Sequence, residues 1–165
     1  MLAGTAAYAQ GGFEEDFDDK DKPWQEIAVQ LPPAPVAGNL LPFYVSPTAT
    51  QTFAIDAKSV TLGADGVVRY TLVTNSAQGA TNVSYEGIRC MSFERKLYAF
   101  GRPDGSWSRS RRDQWEPISS GNVNRQHAAL AKDYFCLEKT VAGKTEEMVE
   151  RIRWKRPLSP HRGGD

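Results

Sequence analysis

The sequence is poor in the residues that build several common kinds of site. Only two cysteines and two histidines occur among 165 residues, which excludes a structural zinc site of the four-cysteine or two-cysteine, two-histidine kind with ordinary ligand spacing. Lysine plus arginine equals aspartate plus glutamate, 20 against 20, so the excess positive charge of a general nucleic-acid binder is lacking. No apolar run approaches the roughly 20 residues that span a bilayer. Apolar residues nevertheless make up 40%, enough for the core of one domain.

The zero net charge conceals an uneven distribution along the chain. Residues 1–66 carry nine acidic and three basic side chains, a net of −6, whereas residues 67–165 carry eleven acidic and seventeen basic side chains, a net of +6. The acidic residues concentrate in residues 14–21, and the basic ones in residues 109–112 and 151–156. Either both clusters are solvated faces, or the acidic segment folds back on the basic face and shields it.

The first nine residues, MLAGTAAYA, are typical of the end of a secretory signal peptide. They are small and apolar, and Ala7-Tyr8-Ala9 matches the small-x-small pattern of signal peptidase. We interpret residues 1–9 as a signal-peptide remnant that directs export to the periplasm, with association to the outer membrane through a partner as an option. An ordinary flexible N-terminus is the alternative. Residues 10–23 predict a disordered acidic arm, residues 24–155 a single globular domain, and residues 156–165 a flexible tail.

The two cysteines, Cys90 and Cys136, form an isolated pair. In an exported protein such a pair is most simply one disulfide. Two buried free thiols in a cytosolic protein remain the alternative. The chain has no CxxC motif, which argues against a catalytic cysteine.

Alternation of apolar and polar residues predicts strands along most of the chain. Residues 24–31 could form a short strand, and Pro42 marks residues 40–45 as an edge or irregular piece. Stronger signals follow at residues 53–56, 59–62, 67–74, 81–91, 95–101 and 107–109. Asp65-Gly66 predicts a hairpin turn, and Gly87 a bulge or a close backbone approach. The order of these segments is that of an antiparallel meander.

Helical signals appear only near the C-terminal end. Residues 122–137 predict a helix capped by Asn122 or Asn124, with a face formed by Ala128, Ala131, Tyr134, Phe135 and Leu137. Residues 145–154 fit either a second helix capped by Thr145 or a closing strand. The expected fold is therefore α+β, an antiparallel sheet of about five or six strands with a C-terminal helix packed on it and joined to it by the Cys90–Cys136 disulfide.

Several longer runs carry a family resemblance. GIRCMSFERKLYAFGRPDGSWSRSRRDQWEPI (residues 87–118) and NRQHAALAKDYFC (residues 124–136), with LPPAPVAGNLLPFYVS (31–46) and DGVVRYTLV (65–73), resemble the CNP1-like family of exported bacterial proteins. This resemblance implies a compartment and an architecture but no reaction. The order of strand cysteine, tryptophan-rich segment and helix cysteine is more distantly similar to the surface-adhesin protein E family, which implies a compact sheet and helix pinned by such a disulfide.

Catalytic motifs are weak. His127 lies near Ser119, Ser120 and Asp133 in sequence, but no GxSxG elbow is present, and an ordinary helix position explains the histidine equally simply. Glu86 and Glu94 could form a carboxylate pair on adjoining strands, although Glu94 is expected in a turn. The acidic run lacks the glycine and the terminal glutamate of an EF-hand loop. We therefore expect no cofactor, no metal and no catalytic residue.

The most suggestive segment is RPDGSWSRSRRDQW, in which four arginines are interspersed with two tryptophans. Guanidinium groups bind carboxylate, sulfate or phosphate, and indole rings bind sugars or cations. The predicted binding residues are Arg102, Trp107, Arg109, Arg111, Arg112 and Trp115. Alternatively, the tryptophans fill the core and the arginines are merely exposed. We expect a non-catalytic envelope module that binds an envelope protein, a lipid or an anionic glycan; the alternatives are a periplasmic hydrolase, or a structural protein with a self-docking acidic arm.

Overall fold

The computed structural model describes residues 22–119 and 125–159, which form an α+β fold as the sequence predicts. The strands are β1 (Leu40–Phe43), β2 (Thr52–Asp56), β3 (Thr61–Leu62), β4 (Val67–Asn75), β5 (Thr81–Arg89), β6 (Glu94–Gly101), β7 (Trp107–Arg109), β8 (Glu116–Pro117), β9 (Cys136–Leu137) and β10 (Thr140–Val141). Two helices, α1 (Arg125–Leu130) and α2 (Thr145–Arg153), lie in the C-terminal third. The signal-like start, most of the acidic arm and the helix caps at Asn122 and Asn124 lie outside the described residues.

An eight-stranded antiparallel sheet forms the centre of the fold. Its order is β1-β2-β4-β5-β6-β7, and the short strands β3 and β8 pair with β4 and β6. The predicted meander is confirmed, because β4, β5, β6 and β7 are neighbours both in sequence and in the sheet. The sheet exceeds the predicted five or six strands only by these two-residue pieces. Pro42 lies in β1, at the edge of the sheet. Proline is tolerated there because an edge strand does not need every backbone N–H for hydrogen bonds to a neighbouring strand.

The close backbone approach predicted at Gly87 is also confirmed. The register between β5 and β6 shifts next to Glu86, and a Cβ on Gly87 would lie 2.8 Å from the hydroxyl of Tyr98. Any larger side chain would therefore displace Tyr98.

One face of the sheet carries the helices. Tyr70 and Leu72 on β4 and Ile88 on β5 point to this face and are almost fully buried. The chain of α1 continues as a π-helical segment, Ala131–Phe135, whose Phe135 ring lies 5.3 Å from that of Tyr70. Met148 and Ile152 of α2 complete the cluster, and α2 packs toward the β1 edge. This helix face holds the main hydrophobic core.

The opposite face is covered by an extended segment, residues 22–36, which we call the strap. Seven consecutive residues of β4, from Val67 to Val73, are buried, so both faces of this strand are shielded from water. Because alternate residues point to opposite faces, Val67, Arg69, Thr71 and Val73 need a cover that the helices cannot supply. The strap lies on this face, where its Glu26 pairs with Arg69, although none of the strap's residues is assigned to a strand.

The disulfide joins the sheet to the helix layer. Cys90 follows β5 directly, and Cys136 follows the π-helical segment directly and begins β9; their Cα atoms are 5.6 Å apart. The predicted pairing is confirmed, and no free cysteine remains.

Four expectations about local structure are wrong. Residues 24–31 form no strand, because the strap is fastened by side chains instead of by a ladder. The first helix ends before Cys136, which turns into the β9–β10 hairpin, so Leu137 is 62% exposed. Glu94 begins β6 and is not in a turn.

The N-cap of α2 is Lys144, not Thr145 as expected, and the backbone N–H of Lys144 donates to the carboxylate of Glu147. Of the two alternatives for residues 145–154, helix or closing strand, the structure has the helix.

Candidate functional site

The four predicted binding arginines lie at the β7 edge of the sheet. Arg109 ends β7, and Arg111 and Arg112 follow it in the loop that leads to β8. Arg102 lies in the β6–β7 turn, where its guanidinium contacts the hydroxyl of Ser106 at 3.5 Å, and is separated from the others by the length of β7. All four are exposed. Arg109, Arg111 and Arg112 thus lie exposed within four consecutive residues at the β7 edge, and we call these three the arginine cluster.

The two predicted tryptophans lie beneath this surface. The indole N–H of Trp107 donates to the carbonyl of Pro32 in the strap at 2.7 Å, and its ring lies 6.1 Å from that of Tyr85. The ring of Trp115 meets Trp24 edge to face at 5.7 Å. Both are half-buried, so these rings hold the strap on the sheet. A role for either ring in ligand binding stays a prediction.

A network of charges around the buried Arg69 fastens the strap and reaches the loop that carries the arginine cluster. Glu26 accepts hydrogen bonds from Tyr98 at 2.5 Å and Lys96 at 2.6 Å and pairs with Arg69 at 3.3 Å. Lys96 also pairs with Asp113, the residue after Arg112, at 2.9 Å. The loop that carries Arg111 and Arg112 is therefore anchored to the strap through Lys96.

Electrostatics in this network favour the charged forms. Burial would raise the pKa of Glu26, but hydrogen bonds from Lys96 and Tyr98 and the charge of Lys96 together lower it below its usual range. The pKa of Asp65 is lowered in the same way. Burial would raise it, but the hydrogen bond from the guanidinium of Arg69, 2.7 Å away, outweighs the effect of burial. Arg69 is 4% exposed and is satisfied by these acids and by the Tyr98 hydroxyl. Each buried charge has a partner, which is the condition for holding it inside a fold.

Replacing Glu26 by glutamine is expected to loosen the strap. The change keeps the shape but removes the charge that Lys96 and Arg69 face, so the free energy of unfolding should fall by about 1–2 kcal/mol. Limited proteolysis should cleave residues 22–36 faster, while residues 40–117 stay resistant. Gln30→Ala, in an exposed part of the strap, is the control. Equal cleavage rates for wild type and Glu26→Gln would contradict this assignment.

A second polar network lies on the helix face. Glu86 accepts hydrogen bonds from Tyr70 and Ser84, both at 3.1 Å, and its Oε2 lies 2.7 Å from Nε2 of His127 on α1. Glu86 and His127 are 5% and 2% exposed. Although burial acts to raise the pKa of Glu86, the charge and hydrogen bond of His127 lower it below the usual range. Burial and the nearby Glu86 charge raise the pKa of Tyr70.

Sequence reasoning considered Glu86 and His127 separately and missed that they are partners. The signal was present, since Glu86 lies between Ser84 and Ile88 on the face that packs against the helices. The arrangement differs from a serine–histidine–acid site, because the carboxylate stands between Ser84 and His127.

The carboxylate pair expected from Glu86 and Glu94 does not form. In the register of β5 and β6, Glu94 lies opposite Arg89 and Glu86 lies opposite Leu97, so the two carboxylates point to opposite faces of the sheet.

Two features that the described residues lack bear on the site. Within residues 22–119 and 125–159, no group of three or more histidine, cysteine, aspartate or glutamate side chains is placed to hold a metal ion. The same residues contain no helix with the length and apolar character needed to cross a membrane.

Comparisons with known proteins agree with the resemblance that the motifs carry. The model of the CNP1-like family matches residues 19–153, a stretch that includes the strap, the whole sheet and α2. Neither the curated proteins nor the solved structures contain a significant match, so the more distant similarity to the surface-adhesin protein E family receives no support. Since the family match covers most of the sequence, the chain belongs to the CNP1-like family.

Proposed function

We propose that this chain is an exported module of the cell envelope that binds anionic lipid or glycan headgroups through its arginine cluster. One observation carries the proposal. In the part of the chain that the structure describes, the guanidinium groups of Arg109 and Arg111 take part in no hydrogen bond or ion pair, and that of Arg112 approaches only Glu116, at 3.8 Å. Three exposed guanidinium groups in four residues offer a forked donor surface for phosphate or carboxylate.

The position of the cluster supports the same proposal. Lys96 and Asp113 anchor its loop, so part of the entropy cost of ordering a binding loop is already met. The second basic segment, residues 151–156, comprises the last turn of α2 and the residues after it, and α2 packs near the β1 edge, at the other side of the sheet from β7. The two basic clusters therefore act as separate surfaces. The disulfide supports export, because such bonds persist in oxidising compartments.

Reversing the charge at the cluster is expected to abolish this binding. We expect Arg109→Glu, Arg111→Glu and Arg112→Glu together to weaken association with phosphatidylglycerol vesicles or lipopolysaccharide at least about tenfold, because attraction becomes repulsion. The matched control is Lys58→Glu, Lys144→Glu and Arg153→Glu, which makes the same change in net charge elsewhere. Co-sedimentation at low and high salt measures the effect. Equal binding by wild type and the triple cluster variant would contradict the proposal, and preference for an acidic protein over both probes would redirect it.

The self-docking arm is the second candidate, and one observation favours it. Trp24 meets Trp115 edge to face, and Trp115 lies three residues after Arg112, so this part of the strap is next to the segment that carries the arginine cluster. The acidic residues 14–21 precede it in sequence. A chain extends at most about 3.6 Å per residue, which lets this segment reach the cluster. If it docks there, removal of residues 10–21 should strengthen vesicle binding; if it is only solvated, removal should leave the affinity unchanged.

A hydrolase on the same scaffold has less support. Its strongest candidate pair, Glu86 and His127, is buried and already joined by a hydrogen bond. General acid–base work needs groups that reach a substrate, directly or through one water.

A further inference from the structure

A cavity of about 420 Å³ lies at the junction of the sheet and the helix layer. Its floor is the Cys90–Cys136 disulfide, and its walls include Phe93, Leu137 and Leu158. The volume falls within the roughly 300–1,000 Å³ of small-molecule sites. The floor and these walls offer apolar surface, so a ligand seated here would place a hydrocarbon group against them.

The rim of this cavity is mainly basic. Lys132 and Lys139 lie at the mouth and are exposed, with Glu138 between them in the β9–β10 turn. Within residues 22–119 and 125–159, neither lysine forms an ion pair; the ammonium of Lys132 lies 5.9 Å from the ring of Phe93. Two lysines and one glutamate give the rim a net positive charge, which is complementary to an anion.

Backbone conformation at the cavity is costly. Phe93 and Glu138 both line it, and both have positive φ values, 53° and 56°. These are two of the three non-glycine residues with positive φ in the described chain. Glycine adopts this conformation without the clash of a Cβ, so each side chain is retained at a cost of about 1 kcal/mol. Such strain clusters at ligand sites, where the side chain matters more than the backbone preference.

The C-terminal wall is fixed in place. The backbone N–H of Leu158 donates to the carbonyl of Asp133 at 2.6 Å, and the hydroxyl of Ser159 contacts the carbonyl of Lys132 at 3.5 Å. The residues that follow, PHRGGD, contain no large apolar side chain.

We propose that this cavity binds the hydrocarbon chain of a single-chain anionic amphiphile, such as a fatty acid, with the headgroup held by Lys132 and Lys139. The proposal is independent of the arginine cluster, which lies at the β7 edge. A neutral long-chain alcohol would fill the same floor without the interaction at the rim. Comparing a fatty acid with a long-chain alcohol therefore separates binding of the hydrocarbon chain by the floor from binding of the headgroup by the lysines.

The test uses the full chain and the fluorescent probe 11-(dansylamino)undecanoic acid, displaced by palmitate or by hexadecanol. We expect saturable one-to-one binding, displacement by palmitate at concentrations about tenfold lower than by hexadecanol, and affinity about tenfold weaker in Lys132→Glu/Lys139→Glu. Lys58→Glu/Arg153→Glu changes the net charge equally away from the cavity and should leave affinity unchanged. Leu137→Asp, at an already exposed wall position, should also weaken binding without unfolding the chain.

Three results would overturn the proposal. One is the absence of saturable binding by the folded wild type. Another is equal affinity of wild type and the lysine double variant. The third is binding that appears only after removal of residues 160–165, which would show that the tail of the chain occupies the cavity instead.

Discussion

Replacing Cys90 and Cys136 by alanine is expected to lower the free energy of unfolding by about 4 kcal/mol. The bond closes a loop with a sequence separation of 46, and the chain-entropy estimate grows with loop length. The loop includes β6, β7, β8 and α1, so its loss affects the docking of the helix layer and the order of the β7 edge. Urea unfolding of the oxidised wild type and of the double alanine variant measures the difference.

Reduction of the wild type provides the control for side-chain packing. Dithiothreitol breaks the bond without removing either sulfur, so reduced wild type and the alanine variant should lose similar stability. A change below about 1 kcal/mol in both would contradict the structural role assigned to the bond. Two free thiols in the denatured, unreduced protein would contradict the pairing itself and weaken the argument for export.

Glu86→Ala is expected to cost about 3–5 kcal/mol, because it leaves the buried His127 side chain without its carboxylate partner. The hydrogen bonds donated by Tyr70 and Ser84 are lost with it. Glu94→Ala, on the other face of the sheet, is the matched control and should change stability by less than about 0.5 kcal/mol. Denaturant unfolding at neutral pH measures both variants.

The same contact predicts a dependence of stability on pH. The folded-state pKa of Glu86 is lowered, so its contribution is fully present above the unfolded carboxyl value of about 4.3 and is lost as pH falls through the folded-state pKa. Wild type should therefore lose more stability than Glu86→Ala between pH 5 and the acid transition. In a double-mutant cycle with His127→Ala, additive losses would show that the two side chains are not coupled.

Much of the sheet could be predicted because its signals are local. β4, β5, β6 and β7 alternate apolar and polar residues between turns that glycine and proline mark, and their boundaries agree with the structure to within two residues. The disulfide followed from the isolated cysteine pair together with the signal-like start. The exposed arginines were also accessible to sequence reasoning, since charged side chains are rarely buried without a partner.

The contacts between distant segments could not be predicted in the same way. The strap alternates as a strand would, but its register is set by Glu26 meeting Lys96 and Tyr98, 70 and 72 residues away. Likewise, the partnership of Glu86 and His127 depends on how α1 docks on the sheet. Helix periodicity alone placed Leu137 on the buried face, but the helix ends at Phe135 and Leu137 lies exposed in β9.

Photo-crosslinking from position 111 in living cells tests the central claim most directly. A photoreactive residue replacing Arg111 sits in the exposed loop beside Arg109 and Arg112, whereas position 107 is engaged by the strap. We expect one dominant adduct with an anionic envelope lipid or glycan, lost when Arg109→Glu and Arg112→Glu are added, and no such adduct from a probe at position 58. An exported, oxidised protein that yields no more adduct at 111 than at 58 would contradict it.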